Sequence, residues 1–175
     1  MPRPQDPLTM DFLLLGLINR QPTHAYDLYK QVSSSEELKA LWTFRQSRLY
    51  AVLDKIERNG LISTTIDQEE QLPARKICTI TPAGKSAFEA WLHSPVDHMN
   101  EIRSDFLGKL YFLKDRPEKE KRHFIDAQEH RCRTWLSNIE KILAGHPNRD
   151  DYLHLVYSFR AEFIRSTLQW METIK

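Results

Sequence analysis

The chain has 175 residues, enough for one domain of ordinary size or two small ones. It is 41% apolar and 28% charged, a balance that excludes a disordered chain. The formal net charge is only +1, so affinity for an acidic polymer has to come from a local patch and not from a bulk basic excess.

Thr9 is placed to cap a first helix, whose Phe12, Leu14, Leu15, Leu17 and Ile18 are apolar on most sides, as in the central helix of a small bundle. It stops near Asn19-Arg20-Gln21, because Pro22 disfavours helix at the residue before it. Thr23 caps a second helix from His24 to about Ser33, with Tyr26, Leu28, Tyr29 and Val32 as its core side, and Ser33-Ser34-Ser35 breaks it. Leu38 to Phe44 reads equally as a short helical turn or an extended entry. The third helix, about Gln46 to Asn59, sets Leu49, Val52, Leu53 and Ile56 at i, i+3, i+4 and i+7. Arg45, Arg48, Tyr50, Lys55 and Arg58 fall on the opposite face. Gly60 follows as a left-handed cap.

Two short β-rich runs come next, Leu61 to Ile66 and Arg75 to Thr81, around a polar turn from Asp67 to Pro73. Thr81 and Pro82 then open a fourth helix with Phe88, Trp91 and Leu92 on its apolar side. His93 to His98 is the best boundary, giving domains 1–93 and 94–175. Beyond it the chain reads as helix throughout: Arg103 to Leu113, Pro117 to Leu143, and Tyr152 to Ile174. The last two form a helical pair with little to enclose, so a second copy of the chain is the expected cover. Phe124, Trp135, Ile139, Leu155, Phe159, Phe163 and Trp170 are the candidate dimerisation residues. The fold class is mainly α with a small β-ribbon: an N-terminal winged helix-turn-helix and a C-terminal antiparallel helical dimerisation arm.

The residues carry a family resemblance. Pro22-Thr23-His24-Ala25-Tyr26, Ser47-Arg48-Leu49-Tyr50, Leu53 to Ile62, and Thr81-Pro82-Ala83-Gly84-Lys85 stand in the order found in PadR-type transcriptional regulators. Ala25 stands where that family favours glycine, and Cys78 where it usually has tyrosine. The resemblance implies a DNA-binding regulator that dimerises through a helical C-terminal domain. It also implies, for some members, an aromatic or drug-like effector, for which Trp42, Trp91, Trp135 and Trp170 are the conspicuous residues. Large aromatics are more often core and interface anchors.

Arg45, Gln46, Ser47, Arg48 and Tyr50 are the candidates for reading bases and phosphates, because the start of a recognition helix lies deepest in the major groove. Lys55 lies further along the same polar face. Arg75 and Lys76 would grip phosphate, which positions a protein without specifying sequence. The expected partner is double-stranded DNA with a near-palindromic operator, bound by a homodimer. A protein–protein adaptor, with the winged helix as a docking module, is the rival that near-neutral charge favours.

No nucleophile elbow, zinc-protease motif or phosphate loop occurs, so no catalytic residue, cofactor or metal is expected. His123, Glu129 and His130 share one helix at poor ligand spacing and read as solvated. Cys78 and Cys132 make no disulfide framework and point to a reducing, cytoplasmic home. The opening MPRPQDPLT lacks a signal-length apolar run, and Phe12-Leu13-Leu14-Leu15 is too short to span a bilayer, so no membrane partner is expected.

Overall fold

The structure, a computed structural model, describes the backbone of residues 8–42, 45–67 and 75–175 and the side chains on it except those at 8, 9, 67 and 75. The first helix already includes Leu8, so Thr9 lies within it and is not its cap; the entry residue Phe44 and most of the turn from Asp67 to Pro73 lie outside what is described. The chain forms two compact units. One takes the described residues up to His93 together with Arg103–Phe112; the other takes Ser94–Ile102 and Leu113–Lys175.

In the first unit, α1 (Leu8–Arg20) is the core helix, with Leu13, Leu14, Leu15, Leu17 and Ile18 all buried. Each such side chain contributes roughly 1.5–3 kcal/mol on leaving water. The unit continues with β1 (Thr23–His24), α2 (Ala25–Ser34), α3 (Glu36–Leu41), α4 (Gln46–Arg58), β2 (Ile62–Asp67), β3 (Arg75–Ile80) and α5 (Pro82–His93). The three strands form one antiparallel sheet in the order β1-β3-β2. Thr23 is therefore not a helix cap. It pairs with Cys78 while His24 pairs with Ile77, and α2 starts one residue later, behind an extended His24 whose side chain caps nothing. The ambiguous stretch after the serines resolves into α3, whose N-cap is Ser35: its hydroxyl accepts from the Leu38 N–H at 3.3 Å.

A π-helical turn at Ile102–Phe106 leads into α6 (Leu107–Leu113), so the expected helix over 103–113 has an irregular first half. Its rings join those of α5 and α1. Phe88 meets Phe112 edge-on with centroids 5.1 Å apart, and Phe12 stacks on Trp91 at 5.1 Å and 10°.

The second unit is built on α7 (Glu118–Gly145) and α8 (Tyr152–Glu172). The helices run antiparallel, since Arg165 bonds Glu140 at 2.7 Å while Lys175 bonds Glu129. Phe124, Ile125, Cys132 and Ile139 of α7 are buried, as are Ala161, Ile164 and Met171 of α8. Buried Gln128 accepts from the Val96 N–H at 2.6 Å and so holds the segment before the 3-10 turn Met99–Glu101. Glu129 is not solvated as expected. It is 9% exposed, and hydrogen bonds from Lys175 and then Arg133 hold its carboxyl below the usual range. His123 and His130 are exposed.

The start of α5 closes on the exit of α4 with no spare room. A Cβ at Gly84 would lie 2.0 Å from the Leu61 carbonyl oxygen, a backbone atom that cannot rotate away. Gly84→Ala should therefore lower the stability of the first unit by about 1–3 kcal/mol in thermal unfolding, despite alanine's better helix propensity. An unchanged melting temperature would contradict this packing.

Candidate nucleic-acid interface

The periodicity of α4 fixes which side faces the core. Leu49, Leu53 and Ile56 are 0%, 5% and 0% exposed. Arg45, Gln46, Ser47, Arg48 and Tyr50 are all exposed, in the first two turns and just before them. Arg45 is the extended residue at the helix N-cap, and its carbonyl accepts from the Arg48 and Leu49 N–H groups. A row of donors thus stands on a rigid helix at the end where backbone N–H groups point outward.

Lys55 behaves differently from the other candidates. Its ammonium bonds the Asp11 carboxylate at 2.5 Å, with that carboxylate only 7% exposed. Burial raises the Asp11 pKa, and the hydrogen bond and charge of Lys55 offset part of the shift. Lys55 thus ties α4 to α1 and does not share the exposed row. Further along, Arg58 turns back to the Asp54 carbonyl at 3.2 Å.

The exit of α4 is a Schellman motif. Gly60 has φ +69°, its N–H bonds the Glu57 carbonyl at 2.8 Å, and the Leu61 N–H bonds the Ile56 carbonyl at 2.9 Å. Thr81 locks this exit to α5: its hydroxyl donates to the Gly60 carbonyl at 2.7 Å and accepts from the Gly84 N–H at 3.0 Å. The expected cap at Thr81 is therefore present, with a second role in anchoring the sheet. At the sheet, Thr64 on β2 donates to the Glu57 carboxylate on α4. Cys78 is buried on β3; burial and then the nearby Glu57 charge raise its thiol pKa, against Lys76. Lys76 is exposed on β3. Arg75 pairs with Asp67 in the ladder, and its side chain is outside the described set.

Residues 14–90 match the model described as the transcriptional regulator PadR-like family. Over that span the chain is similar to the PadR-like transcriptional regulators. The negative transcriptional regulator PadR of Bacillus subtilis strain 168 is 24% identical over 178 residues, covering 94% of each protein. The crystal structure of Bacillus subtilis PadR in complex with operator DNA aligns over 98% of this chain and 97% of that one, at 21% identity and a TM-score of 0.47. The same protein in complex with p-coumaric acid aligns over 98% and 96%, at 21% identity and a TM-score of 0.43.

The matched span lies in the first unit and contains α2, α4 and both long strands. Sequence reasoning missed Tyr26, which it assigned to the core. The ring is 61% exposed at the first turn of α2, beside the surface on which Tyr50 stands 38% exposed. Tyr26 stands two residues after the β-paired His24, a pairing with a distant strand that the local sequence does not reveal. Among the candidate dimerisation residues, Phe124 and Ile139 are buried within the second unit, Trp135 and Phe163 are half-buried, and Leu155, Phe159 and Trp170 are exposed at 61%, 72% and 39%. The tryptophans divide: Trp42 and Trp91 in the first unit, Trp135 and Trp170 in the second. Among the described residues no three His, Cys, Asp or Glu side chains gather to hold a metal ion, and no helix is long and apolar enough to cross a membrane.

Proposed function

We propose that this PadR-like chain is a cytoplasmic, non-enzymatic regulator that binds double-stranded DNA sequence-specifically as a homodimer. The observation that carries this reading is the two-sided α4. Its buried row is fixed by the core, and its exposed row presents Arg45, Gln46, Ser47, Arg48 and Tyr50. Arginine and glutamine are the side chains best suited to bidentate bonds with guanine and adenine. Lys76 and Arg75, on β3, supply phosphate contacts beside the groove. Lys55 is left out of the DNA-contacting set because it serves Asp11.

Residues 1–93 carry DNA binding in this reading and 94–175 dimerisation, except that Arg103–Phe112 packs in the first unit and belongs with the DNA-binding part. Exposed Tyr152, Leu155 and Phe159 lie one side of the first two turns of α8, spaced for an apolar stripe. A stripe of that kind needs a cover, and a second copy supplies it. Two α4 helices would then enter successive major grooves about 34–36 Å apart, which calls for a near-palindromic operator. An aromatic small molecule is the proposed class of effector.

Arg48→Ala should weaken binding to a selected operator by about 1–3 kcal/mol, and binding to random duplex much less, in fluorescence anisotropy titrations. Normal operator binding by that variant would remove α4 as the reading helix. Replacing Leu155 and Phe159 together by aspartate should turn a sedimenting dimer into a monomer. A wild-type chain that sediments as a monomer would overturn the dimer reading.

A further inference from the structure

A cavity of about 660 Å³ opens in the first unit between the start of α2, the side of α4 and the sheet. That volume lies within the range of about 300–1,000 Å³ typical of small-molecule sites. Its floor is apolar, with Leu53 and Cys78 both buried there. Two tyrosines flank it, Tyr26 from α2 and Tyr50 from α4, and both rings are substantially exposed. Its charge is unbalanced: Asp27, Asp54 and Glu57 line it against the single ammonium of Lys76. One Glu57 oxygen takes the Thr64 hydroxyl, while Asp27 and Asp54 are exposed on their helices. His24 also lines the cavity, and its Nδ1 is buried with no hydrogen-bond partner among the described residues.

We propose that this cavity binds a small organic cation, an ammonium carrying an aromatic or branched apolar group. Carboxylates attract the charge, and tyrosine faces hold an ammonium by their ring quadrupole. The buried floor takes the apolar group, and buried His24 Nδ1 offers one polar contact. The same carboxylates repel a DNA phosphate, so the cavity is not simply an extension of the DNA surface. Nor does it suit a bare metal ion, since among the described residues no group of three ligands is placed to hold one. The site goes beyond the DNA-binding reading and does not depend on it. Only its consequence does: Tyr50 and Lys76 belong to both surfaces, so an occupied cavity would compete with operator binding.

The test uses the full chain and benzyltrimethylammonium, whose charge is fixed at all pH values, with phenylacetate as the anion of similar size. Calorimetric titration should detect the cation and not the anion. Amide and tyrosine NMR shifts should concentrate at 24–27, 50–57 and 76–78. Asp27→Asn with Asp54→Asn, both at exposed positions, should weaken the cation about fivefold to tenfold with unchanged thermal unfolding. Tyr26→Leu, also exposed, should weaken it independently of the carboxylates. Equal binding of phenylacetate, full affinity in both variants, or shifts confined to residues 113–175 would each overturn the site. None of these titrations contains DNA, so a chain that bound no operator would leave their outcome unaffected.

Discussion

The buried row Leu49, Leu53 and Ile56 is the constraint on which the rest of the first unit depends. Three apolar side chains at i, i+4 and i+7 fix the rotation of α4 about its own axis. Once they are inside, Arg45, Arg48 and Tyr50 have to be outside. Apolar contacts are non-directional, however, and leave some freedom of sliding. The Lys55–Asp11 ion pair removes it by fixing one point of α4 against α1. An ion pair with one partner this buried adds little net stability, because desolvation offsets much of the attraction; what it supplies is register.

The far end of α4 is held by hydrogen bonds. The left-handed Gly60 turns the chain, and Thr81 bonds the turn to the first residues of α5. The strands that grow from this junction therefore leave in a set direction, with β3 paired on both sides by β1 and β2. A helix whose rotation is set by packing, next to a ribbon whose root is set by hydrogen bonds, gives a surface prepared before any partner arrives. Such preorganisation keeps the ordering cost of recognition low.

Much of this was legible in the sequence, and the reasons it was or was not are local. The core side of α4, the Gly60 turn and the Thr81 cap depend on residues within one or two turns of each other, so spacing alone reveals them. Lys55 and Thr23 were misread because their partners are distant in the chain: Asp11 is 44 residues away, and β1 exists only through β3. A lysine on a polar helix face looks the same whether it meets solvent or a buried carboxylate. Tyr26 was misread because residue type says little about a side chain that is apolar in body and polar at its tip. In the second unit, Phe124 and Phe159 both look like anchors of an apolar stripe. The fold buries the first and leaves the second exposed. Glu129 follows the same logic, since Lys175 reaches it from the residues beyond α8.

With a near-zero net charge, DNA affinity has to come from a local patch, for which α4 and the ribbon are proposed, so the sharpest question is whether phosphates are contacted at all. Anisotropy titration of the full chain on a duplex selected from random DNA, repeated from 50 to 200 mM salt, answers it. The account predicts a linear fall of log affinity with log salt, reaching about 10³–10⁵ in affinity if the dimer neutralises roughly six to ten phosphates. No retained duplex, or an affinity unchanged across that range, would contradict it and leave the winged helix as a surface for another protein.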